Sequence, residues 1–335
     1  MYNKHAESIF GFDTLDGIDG EGRFKVEISG RLGNEATGHY DKESLKIRNN
    51  MYVTTTERCP NHCAFCRNDN MEFGKKKIFR DFRDNYYKVA PSIHSVTFGG
   101  GEPLLRPDIL DEVVFDAESR PMKRFVVTSG PRNSFLQNQE ILDGLDGIYL
   151  SRQKADDNEN QKAFGGKTRL VELADLGRFD LDRRKITACV TAHKDGGVAS
   201  AEEMLDFIRQ MQGVGINNVM FNNLQREVSG AAYYDKNNVP DEAFEAVKKV
   251  FSAETYKGHS VWEQKTPVVF SGGYTISTLK NDWGSIAFKL YHKSKEETAR
   301  AWAEANRRTY DFSMSPNGDL FQGFTNEKKV DLERI

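Results

Sequence analysis

The chain has 335 residues, of which 38% are hydrophobic and 29% are charged, and its formal net charge is −3, from 47 basic and 50 acidic side chains. This balance is typical of a globular protein with a sizeable core, and it gives no excess of positive charge that would attract nucleic acid or an anionic membrane. No apolar run approaches the length of about 18 residues that a membrane span requires, and the N-terminus lacks the apolar segment of a signal peptide. We therefore expect a cytoplasmic protein with no nucleic-acid or membrane partner.

The first 50 residues are rich in glycine and charge, which predicts an N-terminal extension rather than a domain with its own core. From residue 51 onwards, short β-branched or apolar runs alternate with helical patterns. These runs predict six strands, at 51–56, 94–99, 124–129, 147–151, 185–192 and 217–223. The helical patterns between them fall at 106–119, 133–145, 161–176 and 200–215.

This alternation of strand and helix predicts a parallel sheet with right-handed crossovers. No glycine-rich dinucleotide fingerprint follows the first strand, so a full or partial (β/α) barrel is favoured over a doubly wound sheet. We expect the barrel core at 51–225 and a C-terminal α+β extension at 226–335 that covers the barrel.

The C-terminal region departs from the alternation. A further amphipathic helix is predicted at 240–256, and residues 260–292 are β-like and aromatic. Residues 294–310 predict a helix with Ser294 as its N-cap and Glu297 completing a capping box. The segment "DFSMSPNGDLFQGF" at 311–324 predicts a hairpin, because "SPNGD" has the composition of a tight turn.

Three of the four cysteines lie close together in "CPNHCAFC", as Cys59, Cys63 and Cys66. In a reducing compartment, clustered cysteines are more often metal ligands or redox groups than disulfides. A structural zinc ion requires four ligands, so His62 or the distant Cys189 would have to complete a zinc site. The alternative is a [4Fe–4S] cluster, since three thiolates can hold three irons and leave the fourth open to an exogenous ligand.

A second motif, "SVTFGGGEP", places Gly100, Gly101 and Glu102 at the C-terminal end of the second predicted strand. Functional groups of barrel enzymes collect at that end of the strands. Glycines allow the backbone to approach a ligand closely, and Glu102 can accept hydrogen bonds from a ligand ammonium group. The same turn alone is also compatible with a plain strand-to-helix loop.

Together, the two motifs resemble those of the radical S-adenosylmethionine (SAM) superfamily. "CPNHCAFC" is similar to the CxxxCxΦC loop of that family, with Phe65 as the aromatic residue, and "GGEP" is similar to its SAM-amine motif. The resemblance implies a partial (β/α)6 barrel, one [4Fe–4S] cluster held by Cys59, Cys63 and Cys66, and SAM on the remaining iron. It also implies an enzyme in which one electron, from a donor such as flavodoxin or ferredoxin, cleaves SAM to a 5′-deoxyadenosyl radical.

The resemblance further suggests which residues contact SAM. Phe65 would place its backbone against the adenine, while the glycine turn would meet the methionine amine through Gly100, Gly101 and Glu102. Polar residues at the ends of strands three and four would contact the methionine, ribose or carboxylate, and are equally well interpreted as satisfied polar groups: Thr128, Ser129, Ser151 and Arg152. Asn61 and His62 are predicted to be loop surface. Cys189 is predicted to be a small buried residue, with hydrogen-atom donation to a substrate radical as the less favoured alternative.

The overall layout is similar to the subgroup that contains the molybdenum-cofactor cyclase and the SPASM peptide-modifying enzymes. Their C-terminal hairpin often carries a cysteine of an auxiliary cluster, whereas here "SPNGDLFQG" has Gly323 at that position and no cysteine follows Cys189. We therefore expect one cluster and a small-molecule substrate, such as a sugar, nucleoside or amino-acid derivative of specialised metabolism. The alternatives are radical SAM modification of a ribosomal peptide and a non-catalytic zinc-binding protein.

Overall fold

The computed structural model describes residues 47–66, 83–87, 93, 95–115, 123–177, 181–256, 259–270, 273–305, 308–315, 320–322 and 328–329. Of the N-terminal extension predicted at 1–50, only residues 47–50 lie within these ranges. The hairpin turn at 316–319 and Gly323 lie outside the described residues.

Six parallel strands pair in chain order and form the first part of the sheet. Five of the six predicted strands agree with the structure to within one residue at each end, and the first begins four residues earlier than predicted. The prediction of six alternating parallel strands is therefore confirmed. The strands are β1 Ile47–Thr56, β2 Ser95–Gly100, β3 Lys123–Thr128, β4 Gly147–Ser151, β5 Ile186–Thr191 and β6 Asn218–Asn222.

Alternate residues of these strands have different environments, as expected for side chains that point to opposite faces of a barrel wall. One set lies in the hydrophobic core and is nearly or fully buried: Val53, Phe98, Val126, Leu150, Val190 and Phe221. The neighbouring set lines an interior cavity: Tyr52, Thr97, Val127, Tyr149, Cys189 and Met220. The strand period thus separates residues that stabilise the fold from residues that can meet a ligand.

Helices fill the connections between the strands, and two of the predicted helices are wrong in extent. The pattern at 133–145 is divided at Asn138, and the helix predicted at 161–176 is interrupted after Phe164 by Gly165, whose φ of +63° ends a helix in the left-handed conformation. The helices are α1 Pro107–Phe115, α2 Arg132–Gln137, α3 Gln139–Gly144, α4 Asp157–Phe164, α5 Leu173–Leu176, α6 Ala201–Gly213, α7 Arg226–Ser229, α8 Ala231–Asn237, α9 Asp241–Ser252 and α10 Lys295–Glu304.

The C-terminal region contributes strands to the same sheet. Two of its strands, β7 Thr255–Tyr256 and β8 His259–Ser260, pair only with each other in a separate two-stranded sheet. The strands that join the main sheet are β9 Glu263–Phe270, β10 Tyr274–Lys280, β11 Ser285–Tyr291, β12 Arg308–Met314, β13 Leu320–Gln322 and β14 Lys328–Lys329. β11 pairs in parallel with β6, and β12 pairs in parallel with both β9 and β1. Ten of the described strands therefore form a ring, in the order β1-β2-β3-β4-β5-β6-β11-β10-β9-β12. The expected partial six-stranded barrel is thus completed by strands of the C-terminal extension.

Aromatic packing explains how β11 is held beside β6. Phe207 of α6 lies 6.1 Å from Phe221 of β6, between ring centroids, and Phe244 of α9 lies 6.4 Å from Phe288 of β11. Phe221 and Phe288 stack on each other at 6.0 Å. Such buried aromatic contacts stabilise the junction of the two halves of the ring.

Two further helices are shorter than predicted: the one at 240–256 ends at Ser252 and is followed by β7, and the one at 294–310 ends at Glu304, before β12 begins at Arg308. The predicted hairpin and the N-cap of α10 are confirmed. β12 and β13 pair antiparallel, as the predicted hairpin requires. Ser294 caps α10 by accepting from the Glu297 N–H at 3.1 Å, although the Glu297 carboxylate accepts from Lys293 rather than from the cap residue. Within the described ranges, the helices are too short or too polar for any of them to cross a membrane.

Candidate active site

The C-terminal ends of the first strands meet at one mouth of the ring. The cysteine loop follows β1, the glycine turn follows β2, and the end of β3 lies beside them. A cavity of about 440 Å³ extends from this mouth into the barrel. Ten of the eleven predicted site residues line it: Cys59, Cys63, Phe65, Cys66, Gly100, Gly101, Glu102, Thr128, Ser129 and Ser151.

The cysteine loop is anchored on the C-terminal end of α4. Cys63 is buried, and its Sγ lies 3.8 Å from the carbonyl oxygen of Phe164, which also accepts the His62 N–H at 2.9 Å. The Cys66 N–H donates to the Cys63 carbonyl at 3.0 Å, which closes a turn between the two thiols. Cys59 and Cys66 are half-buried. The three thiols therefore belong to one tightly turned segment.

The glycine turn after β2 holds the start of the cysteine loop. The Gly101 N–H donates to the Thr56 carbonyl at 2.6 Å, and the Glu102 N–H donates to the Arg58 carbonyl at 2.8 Å. A Cβ on Gly101 would lie 2.1 Å from that Arg58 oxygen, and Gly100 has a φ of +106°. Glycine is required here because the cysteine loop, as well as any ligand, approaches the backbone closely.

A second glycine turn supports the loop from the other side. Gly165 and Gly166 follow α4, and a Cβ on Gly166 would lie 2.6 Å from the Pro60 carbonyl and 2.4 Å from Asn61 Oδ1. The sequence interpretation missed this turn because it assigned the whole segment to one helix. The paired glycines were the signal that could have found it.

Glu102 is completely buried and joins the glycine turn to the end of β3. Its Oε1 accepts from the Leu104 N–H at 3.1 Å and from the Thr128 hydroxyl at 2.6 Å. Its Oε2 accepts from the Ser129 N–H at 3.0 Å and from the Ser129 hydroxyl at 2.6 Å. Burial raises the pKa of the Glu102 carboxyl, and the hydrogen bonds from Ser129 and Thr128 act in the opposite direction. The predicted contact between Glu102 and the SAM ammonium group stays a prediction.

Asn61 extends this network into the cysteine loop. Its Nδ2 donates to Ser129 Oγ at 2.8 Å, so Ser129 links the loop to Glu102. Asn61 is only 6% exposed, and the prediction that it is loop surface is wrong. The matching prediction for His62 is confirmed, since that side chain is exposed. The three structural parts of the mouth therefore share one chain of hydrogen bonds.

The end of β4 separates the two residues predicted there. Ser151 lines the cavity, whereas Arg152 does not. The Arg152 guanidinium is buried, donates to the Ala155 carbonyl at 2.6 Å and forms an ion pair with Asp157. Burial lowers the pKa of Arg152, and Asp157 acts against that change. The Arg152 guanidinium therefore interacts with other residues of the chain instead of facing the cavity. This corrects its predicted role in binding SAM.

Cys189 is buried, as predicted, but it also borders the cavity. It is the register partner of Ser151 on the neighbouring strand. Burial raises the pKa of the Cys189 thiol to about 12, and the charge of Lys289 acts in the opposite direction. The side chain therefore keeps its proton at neutral pH.

Phe65 packs on a histidine that sequence reasoning did not single out. The rings of Phe65 and His193 lie 4.7 Å apart between centroids, and His193 Nδ1 lies 3.4 Å from the Tyr233 hydroxyl. Burial lowers the pKa of His193 to about 4, and Lys154 acts in the same direction while Asp195 opposes it. The neutral imidazole of His193 thus supports the cysteine loop by packing against Phe65.

The wall formed by the C-terminal strands was also missed. Phe270, Tyr274, Lys289 and Tyr291 line the cavity, and Phe270 stacks on Tyr274 with 4.4 Å between ring centroids. The aromatic, β-like character of 260–292 was visible in the sequence. No pattern in that segment indicated that it would join the barrel.

The arrangement of the thiols fits an iron–sulfur cluster. Among the described residues, no three His, Cys, Asp or Glu side chains lie close enough together to share one metal ion. A [4Fe–4S] cluster does not require such proximity, because each thiolate binds a different iron. Three thiols on one turned loop at a cavity wall are consistent with such a group.

Six parallel strands, with three cysteines after β1 and a glycine–glutamate turn after β2, match the arrangement implied by the resemblance to enzymes that combine a cluster with SAM. The family model described as the radical SAM superfamily matches residues 53–224. The chain belongs to the radical SAM superfamily, and it is an enzyme whose cofactors are a [4Fe–4S] cluster and SAM. The alternative of a non-catalytic zinc-binding protein is therefore set aside.

Similar proteins have different named activities. Over 165 residues the chain is 26% identical to a PqqA peptide cyclase from Streptomyces rochei, a match that covers 47% of this chain and 43% of the relative. Over 199 residues it is 24% identical to a probable GTP 3′,8-cyclase from Methanococcus aeolicus, covering 57% of this chain and 64% of the relative. The chain thus spans less than two thirds of the length of these relatives.

The fold is also similar to that of a solved structure. The crystal structure of Streptococcus suis SuiB bound to SAM superimposes with a TM-score of 0.57 at 15% identity. The match covers 86% of this chain and 64% of SuiB. At that identity the likeness concerns the fold alone.

Proposed function

We propose that Cys59, Cys63 and Cys66 bind the cluster and that the neighbouring strand ends bind SAM. The three thiols share one loop, and glycine turns support that loop on both sides. The proposed SAM contacts border the same cavity: Phe65, Gly100, Gly101, Glu102, Thr128, Ser129 and Ser151. The division into an N-terminal extension at 1–50, a core at 51–225 and a C-terminal extension at 226–335 is retained as part of the proposal.

The proposed reaction is abstraction of a hydrogen atom from a small-metabolite substrate. When bound, the cluster and SAM supply a 5′-deoxyadenosyl radical, with a donor such as flavodoxin or ferredoxin providing the electron. The chain contributes the mouth of the barrel, where the cofactors would be positioned, and the ring of strands that surrounds the cavity. The observation that carries this proposal is the cavity at the mouth of the barrel, whose volume of about 440 Å³ lies within the usual range for small-ligand sites.

Modification of a ribosomal peptide is the second candidate. It is favoured by the name of one relative, PqqA peptide cyclase, and by a structure of SuiB bound to its precursor peptide SuiA, which superimposes with a TM-score of 0.55. A peptide could insert one side chain into the cavity while its backbone stays outside the ring.

Anaerobic reconstitution tests the proposal. We expect a brown protein with about four irons per chain. Reduction with dithionite in the presence of SAM should release 5′-deoxyadenosine. A colourless protein that retains zinc and leaves SAM intact would contradict the assignment. To separate the two candidates, low-molecular-weight and peptide fractions of a cell extract are added in turn, and the fraction that accelerates 5′-deoxyadenosine release contains the substrate.

A further inference from the structure

Three polar side chains lie at the ends of neighbouring strands and border the cavity. Gln153 lies two residues beyond β4, Thr191 is the last residue of β5, and Asn222 is the last residue of β6. β4, β5 and β6 pair in that order, and Thr191 is the register partner of Asn222. Gln153, Thr191 and Asn222 therefore form one continuous stretch of the wall, which we call the polar arc. None of the three side chains carries a charge.

Gln153 presents hydrogen-bond donors at the polar arc. Its side chain is only 2% exposed, and its backbone N–H donates to Asn160 Oδ1 at 2.7 Å. Its Oε1 accepts the Thr191 N–H at 3.2 Å, which fixes the amide against β5. Within the described part of the chain, the Nε2 group donates no hydrogen bond. A side-chain amide has two donors besides its acceptor, so Nε2 can donate to a ligand.

Asn222 presents an acceptor. Its Oδ1 is buried and accepts no hydrogen bond from any described residue. Its register partner Lys289 does not supply that bond, and the Lys289 ammonium group lies 3.9 Å from the ring centroid of Tyr274. The adjacent Asn223 differs, because its Oδ1 accepts the Tyr291 N–H at 2.7 Å and its Nδ2 donates to the Tyr291 carbonyl at 3.4 Å. A buried acceptor is normally satisfied, so Asn222 Oδ1 indicates a donor on a ligand.

The layer of the wall below the polar arc is largely apolar. Tyr149 and Met220 lie two residues before the ends of β4 and β6, so they point to the same face one layer deeper in the barrel. Tyr149 stacks on Phe125 with 5.4 Å between ring centroids, and all three residues line the cavity. A ligand group bound at the polar arc would therefore place its hydrocarbon part against these side chains.

We propose that the polar arc is the substrate subsite and that it binds an uncharged primary carboxamide. The carboxamide oxygen accepts from Gln153 Nε2, and the carboxamide N–H donates to Asn222 Oδ1. A primary carboxamide presents an acceptor and a donor on one edge, whereas a carboxylate would place a negative oxygen against the buried Asn222 oxygen. This assignment deepens the proposed function and rests on it, because it takes the polar arc to face the substrate while SAM occupies the neighbouring strand ends.

The test measures binding of two probes of the same shape, 3-phenylpropionamide and 4-phenylbutan-2-one, to reconstituted protein saturated with SAM under anaerobic conditions. The probes share a phenyl group and a carbonyl, and the ketone has CH3 where the amide has NH2. We expect the amide to bind about fivefold more tightly, because the ketone leaves Asn222 Oδ1 without a donor. This comparison uses the wild type, so it does not depend on the folding of any variant.

Variants then assign the preference to individual atoms. Asn222→Leu should remove it, and Asn222→Asp, which keeps an acceptor, should retain it. Gln153→Glu keeps the acceptor for the Thr191 N–H but loses the Nε2 donors, so both probes should bind about fivefold more weakly. Gln212→Leu is the matched control, since Gln212 is an exposed amide on α6, and it should bind both probes as the wild type does.

A further arm identifies the source of the carboxamide, which could belong to a small molecule or to a glutamine side chain of a peptide. The probe is the pentapeptide Ala-Ala-Gln-Ala-Ala, capped with an acetyl group and a methylamide. Tighter binding of this peptide than of 3-phenylpropionamide supports the subsite with a peptide as the source. Weaker binding supports it with a small molecule as the source.

Several outcomes would overturn the assignment. One is an amide that binds no better than the ketone to the wild type, including the case in which neither binds. Another is a preference that persists in Asn222→Leu, or tighter binding of 3-phenylpropionate or 3-phenylpropane-1,2-diol than of the amide. A preference seen only without SAM would assign the polar arc to SAM instead. No reductant is needed, so this measurement can fail while SAM cleavage succeeds, and the reverse.

Discussion

The two sides of the cavity differ in the kinds of contact that form them. At the proposed cofactor side, many contacts involve backbone groups and glycines, such as the Gly101 N–H to the Thr56 carbonyl and the close approach of Gly166 to Pro60, in addition to the side-chain network around Glu102. At the opposite side, side chains form them, as in the Phe270–Tyr274 stack and the Lys289 ammonium over Tyr274.

This difference has a consequence for function. The positions of these contacts are restricted to glycine, because any added Cβ meets backbone atoms that cannot rotate away. A wall of side chains can change its ligand by one substitution without moving a strand. We therefore expect substitutions at the proposed cofactor side to impair iron binding and SAM cleavage, and substitutions in the side-chain wall to change which ligand the cavity binds. The following predictions test the first of these two contributions.

The largest effect is expected at Cys63. Replacing Cys63 with Ala removes one thiolate from the proposed cluster site, and we expect iron content to fall sharply and 5′-deoxyadenosine release to disappear. Iron and sulfide analysis after anaerobic reconstitution, together with chromatography of the SAM products, measures both effects.

Cys189→Ala is the matched control for iron content. Cys189 is buried to the same extent as Cys63, with 8% exposure for both, but it lies on β5 rather than on the cysteine loop. It should keep a full complement of iron. Equal iron loss in the two variants, or intact SAM cleavage by Cys63→Ala, would show that the ligands are assigned wrongly.

The next effect is expected at the glycine turn. In Gly101→Ala the new Cβ would lie 2.1 Å from the Arg58 carbonyl oxygen, so the cysteine loop must move. We expect a loss of about 2 kcal/mol in the free energy of unfolding, within the usual cost of overpacking, and weaker iron retention. Denaturant unfolding of the reconstituted protein gives the first quantity.

Gly213→Ala provides the comparison for that change. No atom would lie within 4 Å of a Cβ on Gly213, at the end of α6. This variant should be stabilised by about 0.5 kcal/mol and keep its iron, because alanine restricts the unfolded chain. If both glycine variants behave alike, the contact with Arg58 does not explain the glycine turn.

A smaller effect is expected for the hydrogen bond between Asn61 and Ser129, which links the cysteine loop to the network around Glu102. Asn61→Ala removes the hydrogen bond to Ser129 Oγ and also the buried Oδ1 that has no partner in the described chain. The net loss should be about 1 kcal/mol, typical of one hydrogen bond, and is measured as a lower denaturation midpoint. His62→Ala, which changes an exposed neighbour in the same loop, should leave the midpoint unchanged. A loss of similar size in both variants argues against the network.

The same contrast explains what the sequence could predict. The motifs of the proposed cofactor side could be recognised because their chemistry restricts residue type and spacing locally: Cys59, Cys63 and Cys66 lie on one loop, and Gly100 to Glu102 on one turn. The six strands were predicted because alternation with helices is also a local signal. The opposite wall was not, because Lys289 and Tyr274 meet the cavity only through long-range pairing of β11 with β6.

Individual errors have similar physical causes. Arg152 looked like a ligand because it ends a strand, yet its charge is used within the protein by Asp157, 5 positions further along the chain. Asn61 looked like surface because it is polar and lies in a loop, yet tertiary packing buries it. Position along the chain indicates which residues can reach a site, but only packing decides which way a side chain turns.

An effect of similar size, which is seen only when the pH is changed, concerns His193, which packs on Phe65 of the cysteine loop. Its pKa is about 4 in the folded protein, below the ordinary value of 6.5. As pH falls below 6.5 the unfolded chain therefore binds a proton that the folded chain does not, and the free energy of unfolding decreases.

Between pH 7 and pH 5.5 the wild type should lose about 1 kcal/mol more than His193→Gln, whose side chain does not titrate. Unfolding of both proteins, equally loaded with iron, at the two pH values measures the difference. Parallel pH dependence would mean that the imidazole takes up its proton without disturbing the support of the loop.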